Sequence, residues 1–404
     1  MADIHKPDSV EALRDLVAGA ASEDRPLAVR GHGTRDTVGR PVQAAATLDL
    51  SGLSGITLYE PEELVLGARA GTPRGEVEEA LAGNGQEFAF EPPDLGTLLG
   101  SQGRGTLGGM IACNLSGPRR VKAGAVRDHF LGFTGVSGRG EVFKAGGRVV
   151  KNVTGYDLPK LMAGSWGTLV AMSDVIVKVL PRAQTQSTLA LMGLDDATAI
   201  RAMSLALQSP YEVSGAAHIP ADVLARSNGT QEAEATAVTA LRLEGVGPSV
   251  DYRAGELGAL LGEFGTPERL PEDASRGFWR EVRDVLFLAG SDDAVWRISV
   301  PPMEGAEVAA RIRARAPALC YYDWAGGLVW CAVPPAGDAH ASAVRGALLG
   351  TTGHATLIRA PQEVRAAVPV FEPPSPGVAA VSRRVKEAFD PRRVLNPGRM
   401  YADL

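Results

Sequence analysis

Residues 27–35 read Leu27-Ala28-Val29-Arg30-Gly31-His32-Gly33-Thr34-Arg35. The apolar triplet Leu27–Val29 predicts a short strand, and it runs straight into a glycine turn flanked by two arginines. Glycine lets backbone N–H groups approach an anion with no Cβ in the way, so this turn suits a diphosphate carrying two negative charges. Taken alone, the same residues also make a plain turn with solvated arginines. Two further glycine-rich stretches follow it in the chain. One is Gly103-Arg104-Gly105-Thr106-Leu107-Gly108-Gly109. The other runs from Gly146-Gly147-Arg148 through Lys151-Asn152-Val153-Thr154-Gly155-Tyr156-Asp157 to Gly164-Ser165-Trp166-Gly167.

The second stretch matches the spacing GxGxxG, so a Rossmann nucleotide site has to be weighed. That fingerprint needs an apolar strand immediately before it and a carboxylate near the end of the next strand. Asp94 to Gln102 is not strand-like, and Asp128 comes before the next strand rather than after it. The Rossmann reading fails on context, and the loop is left as a backbone cradle of another kind.

Working outward, Asp8-Ser9 followed by Val10, Leu13, Leu16 and Val17 predicts a capped amphipathic helix ending near Gly19. Strands are predicted at Thr47–Leu50 and Leu64–Arg69. Thr72-Pro73 opens a helix carrying Val77, Ala80 and Leu81 on one face and ending at Gly83. Phe90 to Arg120 shows little regular patterning. Strands Phe130–Val136 and Glu141–Lys144 join through the turn Ser137-Gly138-Arg139-Gly140. A short helix at Asp157–Met162 and an apolar β-rich run at Thr168–Leu180 follow. The polar segment Pro181 to Thr188 is the expected domain boundary. Beyond it, helices at Asp195–Gln208, Met303–Ala314 and Asp338–Leu349 alternate with strands at Ala237–Glu244, Ala294–Pro301 and Gly327–Val333. Val285–Ala289 and Tyr321–Trp330 are either an interface or core strands, and core is the preferred reading. Pro361–Pro376 reads as an irregular crossing segment before a last helix, Val378–Phe389.

The chain has 404 residues, which favours more than one domain, and 45% hydrophobic with 22% charged residues is ordinary for a globular protein. A net charge of −6 and only 5% aromatics argue against nucleic acid as a partner. No run is long and apolar enough to predict a transmembrane segment, and the N-terminus lacks a signal-peptide pattern. The expected location is therefore cytoplasmic, with peripheral attachment at the inner membrane through partners left open. Cys113, Cys320 and Cys331 are too few and too far apart for the usual four-thiolate iron–sulfur cluster. None of His5, His32, His129, His218, His340 and His354 forms an i,i+4 pair, so no metal is assigned.

The three glycine-rich stretches, in this order, resemble the FAD-binding domain of the vanillyl-alcohol oxidase and p-cresol methylhydroxylase flavoproteins. Within that superfamily the phrases Phe90-Glu91-Pro92-Pro93, Leu115-Ser116-Gly117-Pro118-Arg119-Arg120, Gly124-Ala125-Val126-Arg127-Asp128 and Lys151–Leu158 are similar to the E-subunit family of glycolate oxidases. So is the ending, Phe389-Asp390-Pro391 to Leu395-Asn396-Pro397-Gly398-Arg399-Met400. The resemblance is dense over about residues 25–181 and 385–404 and thin between.

It implies an α+β chain: a two-subdomain FAD-binding domain at 1–183, a second α+β domain of sheet plus helices at 184–376, and a C-terminal segment, 377–404, returning to the first. The FAD contacts it implies are Arg30, Gly31, His32, Gly33, Thr34, Pro93, Thr106, Gly108, Gly109, Asn114, Ser116, Gly117, Arg119, Arg120, Lys151, Asn152, Gly155, Tyr156, Asp157, Gly167 and Asn396. Some members link FAD covalently to a histidine of the first loop. Aligning that loop puts Thr34, not His32, at the linked position, so noncovalent FAD is expected.

Relatives that oxidise 2-hydroxy acids carry His-x-Gly-Asp-Gly-Asn in the second domain. Here only His354 in Thr352-Gly353-His354-Ala355-Thr356 comes near, without the acidic and amide residues. No catalytic residue is assigned. The resemblance implies an FAD-binding oxidoreductase subunit that works with a D-type flavoprotein and an iron–sulfur F-type subunit on a small 2-hydroxy acid. A free-standing FAD oxidase and a non-catalytic scaffold are the alternatives.

Overall fold

A computed structural model describes residues 3–148, 155–228 and 235–404. The expectations placed on Lys151 and Asn152 lie outside those residues. Three sheets carry the fold. The first holds Asp3–His5 (β1), Leu27–Arg30 (β2) and Ala46–Asp49 (β3), paired in parallel with β3 in the middle. The Val10–Ser22 helix covers it with Leu13, Val17 and Ala20, and the Ser9 hydroxyl accepts from the Ala12 N–H at 3.2 Å as its cap. This helix runs one turn past the predicted stop, because Gly19 holds ordinary helical backbone.

The second sheet contains Ile56–Glu60 (β4), Val65–Arg69 (β5), Phe130–Ser137 (β7), Val142–Gly146 (β8) and Val170–Lys178 (β9), antiparallel in the order β4-β5-β9-β7-β8. Gln86–Glu87 (β6) and Leu180–Pro181 (β10) form a small ladder of their own. Each of the first two sheets has a separate core, one around Leu48, Val29 and Leu395, the other around Leu66, Val77, Phe133 and Val175. These are two subdomains.

From Thr185 onward the chain builds a third sheet. Its members are Thr185–Met192 (β11), Gly215–Ile219 (β12), Val238–Gly245 (β13), Glu268–Leu270 (β14), Ala294–Ser299 (β15), Leu319–Asp323 (β16), Leu328–Val333 (β17) and His354–Arg359 (β18). Among the described residues its order is β14-β11-β13-β12-β16-β17-β15-β18. Tyr321, Tyr322 and Trp330 are buried in its core, as are Val285, Phe287 and Leu288, which form a tight 3₁₀ turn rather than a strand. Leu95, Leu98, Leu115 and Trp166 from the first domain pack into the same core, so one face of this sheet rests on that domain.

The last helix, Pro376–Phe389, brings the chain back. Leu27 and Leu395 form a parallel bridge, and the Leu27 N–H donates to the Val394 carbonyl at 2.7 Å. Buried Lys386 donates to Asp390 and to the carbonyls of Thr168 and Leu395, while Asp390 also accepts from the Val394 and Leu395 N–H groups. The C-terminus is thereby tied beneath the end of β2.

Candidate functional site

At the end of β2 the Gly31–Arg35 turn forms one wall of a cleft of about 710 Å³ of empty space, open to solvent. The start of the Leu107–Cys113 helix forms the facing wall, and Trp166, Gly167 and Arg399 close one end. Arg30, Gly31, His32, Gly33, Thr34, Thr106, Gly108, Gly109 and Gly167 are thus brought together, as the sequence reading expects.

Local chemistry explains the arrangement. The Thr106 hydroxyl accepts from the Gly109 N–H at 3.2 Å and so starts a helix inside the glycine-rich stretch, which sequence patterning reads as irregular. A Cβ on Gly31 would lie 2.4 Å from Thr106 Oγ1, and one on Gly108 would lie 2.7 Å from Ala70 Cβ, so the walls approach this closely only with glycine at both places.

The helix does not present free amides to the cleft. Its Leu107 and Gly108 N–H groups donate to the carbonyls of Thr72 and Ala70. The free donors lie opposite. Among the described residues the successive backbone N–H groups of Gly31 to Arg35 find no protein acceptor. The Nε atoms of Arg30 and Arg399, both at the cleft, are buried without a partner. A row of backbone donors and two orphaned guanidinium nitrogens around one cavity is a donor set that fits a diphosphate.

Other expected contacts sit elsewhere, each for an identifiable reason. Asn396 lies under the cleft as a clamp: its Oδ1 accepts from the Val29 N–H at 2.8 Å, and its Nδ2 donates to the Val29 and Trp166 carbonyls. The Pro93 carbonyl accepts from Arg35 and Arg74. Asn114 ends the Leu107–Cys113 helix in left-handed conformation and accepts from the Arg127 N–H, and Ser116 accepts from the Val126 N–H. The Gly117 carbonyl accepts from Trp324 Nε1 at 3.0 Å. Gly155 and Tyr156 are exposed, the latter at 89%, and Asp157 caps the Leu158–Met162 helix and pairs with Lys160.

Arg119 is drawn away by carboxylates. Its guanidinium binds Glu87 at 2.5 Å and Glu244 at 2.7 and 3.0 Å, and its backbone N–H donates to Glu91. Arg242 grips Glu91 through both terminal nitrogens at 2.9 and 2.8 Å. Burial pushes the Glu91 carboxyl up, but Arg242 and Arg119 more than offset this and leave it at about 2. Burial would weaken the Arg119 proton, yet Glu91, Glu244 and Glu87 together hold it more tightly than usual. Arg120 lies over the Trp324 ring, its Cζ 4.4 Å from the centroid. Nearby Asp323 is buried, and burial lifts its carboxyl to about 7 against the opposing Trp324 N–H.

Sequence reasoning missed Arg399 as a lining residue, although it belongs to the quoted C-terminal phrase. Trp166, Cys113 and Ala112 also line the cleft, and nothing in their types marks them for it.

Two small subdomains around a glycine-walled cleft, with a sheet-based domain laid against them, make up the fold of FAD-binding proteins of the p-cresol methylhydroxylase type. Among solved structures, p-cresol methylhydroxylase with substrate bound superposes with a TM-score of 0.74 at 13% identity, covering 99% of this chain and 88% of its own, which shows the shared fold. A family model described as FAD binding domain matches residues 2–146. Glycolate oxidase subunit GlcE of Escherichia coli (strain K12) is 33% identical over 402 residues, 98% of this chain and 99% of that protein. The chain belongs to the GlcE family of glycolate oxidase subunits. Glycolate oxidase subunit GlcD of Bacillus subtilis (strain 168) is 33% identical over 190 residues, 45% of this chain and 39% of that protein.

Proposed function

We propose that the chain holds one FAD without a covalent link in the Gly31–Arg35 cleft and serves as the FAD-binding subunit of a glycolate oxidase. In that complex glycolate, or a similar 2-hydroxy acid, is oxidised to the 2-oxo acid. The carrying observation is that, among the described residues, the backbone N–H groups from Gly31 to Arg35 are unpaired beside the orphaned Nε atoms of Arg30 and Arg399. The backbone row and Arg30 would hold the diphosphate, and Arg399 would brace the same cleft from the C-terminal segment. Gly31 and Gly108 keep the walls thin enough for close approach. When bound, FAD supplies the acceptor for the two electrons leaving the substrate. His32 lines the cleft but is exposed, and the alignment of its loop places Thr34 at the position other members use for a covalent link.

The likeness to GlcE over nearly the whole chain, and to GlcD over the first part, supports a place beside a D-type flavoprotein. An iron–sulfur F-type subunit is the second proposed partner and would carry electrons onward. No described helix is long and apolar enough to cross a membrane, so attachment at the inner membrane would run through those partners.

An absorbance spectrum of the purified chain, before and after glycolate, tests this reading. A flavin spectrum that glycolate bleaches anaerobically only when the partner subunits are present is the expected result. A colourless chain overturns FAD binding, and bleaching of the isolated chain overturns the shared-catalysis reading. Yellow colour retained in an acid precipitate overturns the noncovalent link.

A further inference from the structure

On the face of the third sheet that rests on the FAD-binding domain, Arg297 stands in register with Trp330 and Thr356. Its Cζ lies 5.1 Å from the centroid of the Trp324 ring, the same indole that carries Arg120 at 4.4 Å. The Trp324 ring is fixed by its Nε1 bond to the Gly117 carbonyl, so the two domains together hold two guanidinium groups against one indole. Among the described residues neither guanidinium donates a hydrogen bond or pairs with a carboxylate, whereas Arg119, Arg242, Arg283, Arg313 and Arg345 all do. Asp323 is the acidic group beside Arg297, and it is turned to the Trp324 N–H.

Burial and the neighbouring Arg120 charge pull the Arg297 proton affinity down to about 10, and burial, with smaller contributions from Arg297 and Arg120, depresses His354. Two like charges held together and half withdrawn from water cost stability. A bound anion removes that cost. A guanidinium stacked on an indole keeps its N–H edge free for a planar acceptor, and a carboxylate matches that edge bidentately.

We infer that Arg120 and Arg297, stacked on Trp324, bind the carboxylate of a small monocarboxylic acid between the two domains. The identity of that acid as a 2-hydroxy acid rests on the glycolate reading above, but the anion site itself does not.

Calorimetric titration of the full chain with glycolate, and with glycolamide as its uncharged counterpart, tests the site whether or not FAD is retained. Binding of glycolate but not glycolamide is expected. Loss of a charge-assisted bidentate contact in Arg297→Met or in exposed Arg120→Met should weaken glycolate binding roughly tenfold to a hundredfold. With no ligand, both variants should melt at or above the parent temperature, because a repulsion has been removed. A merely structural pair would instead lose melting temperature on substitution. Equal binding by parent and both variants, or no heat with the parent at tens of millimolar glycolate, overturns the assignment. A flavin spectrum on the same sample tells a failed FAD reading from a failed anion site.

Discussion

Asn396 offers a direct test of how the C-terminal segment supports the cleft. Its side chain is 1% exposed and spends every near polar atom on backbone: Oδ1 on the Val29 N–H, Nδ2 on the carbonyls of Val29 and Trp166. Both partners immediately precede cleft-lining glycine turns. Asn396→Ala leaves one buried N–H and two carbonyls without partners. At about 1–3 kcal/mol for each unsatisfied group, with some relief from relaxation, the loss should be about 3–5 kcal/mol. Asn396→Asp is the sharper variant. It has the same shape and keeps the acceptor for Val29, but turns the donor into an anionic oxygen facing two carbonyls. At pH 7 it should be less stable than the alanine variant. The deficit should shrink at pH 5, since a raised carboxyl pKa disfavours folding increasingly as pH rises from the unfolded value toward the folded one. Urea unfolding at both pH values measures this, and dialysis of FAD from each variant should show faster loss of flavin. An aspartate variant as stable as the parent at pH 7, or an alanine variant losing less than about 1 kcal/mol, would refute the clamp.

Gly31→Ala places a methyl against Thr106 and should displace that helix cap, abolishing FAD retention at a stability cost of about 1–2 kcal/mol, read by flavin absorbance against the control Gly19→Ala, whose Cβ meets nothing. Lys386→Met leaves the buried Asp390 charge uncompensated and should cost about 3–5 kcal/mol by urea unfolding, with Lys386→Met/Asp390→Asn recovering part of it. Asp323 has its carboxyl lifted from the ordinary 3.8 to about 7, so the protonated form is favoured in the folded chain. Parent stability relative to Asp323→Asn should therefore fall by roughly 4 kcal/mol as pH rises from 4 to 7 and then level off, and a gap independent of pH would contradict the assignment.

Local signals in the sequence were strong where a side chain acts on its own backbone. Ser9, Asp157 and Asp195 each cap the helix that follows, and the Ser137–Gly140 turn joins β7 to β8. Where tertiary burial supplies the reason, the pattern is silent. Gly215-Ala216-Ala217-His218-Ile219 is a fully buried central strand, so it shows no alternation and few β-branched residues. The Leu107–Cys113 helix hides among glycines because its start is secured by Thr106 and by the Ala70 and Thr72 carbonyls, contacts that sequence spacing does not display. At the site, glycines that must touch another chain segment were legible as a set. Arg30, His32, Thr34 and Thr106 were legible with them, but other polar residues were not: Arg119 is held by Glu87 and Glu244, and Ser116 and Asn114 accept from the Val126 and Arg127 N–H groups.

Arg119 shows what the displaced residues do instead. Glu87 and Glu91 come from the first domain, Glu244 and Arg242 from β13 of the second, and Arg119 bonds to both sides. Such a network gains little stability over apolar packing, because desolvating five charged groups offsets their attraction. Its contribution is geometric. Forked guanidinium–carboxylate contacts have one good arrangement, whereas apolar surfaces slide. Here the fork fixes β13 against the 87–91 and 117–119 segments, and the latter carries the Gly117 carbonyl that holds Trp324. The ion network therefore sets the spacing between the glycine-walled cleft and the Arg120–Trp324–Arg297 stack. A cofactor in one and a carboxylate in the other, as proposed, would need that spacing held to a fraction of an ångström, which an apolar interface alone would leave loose.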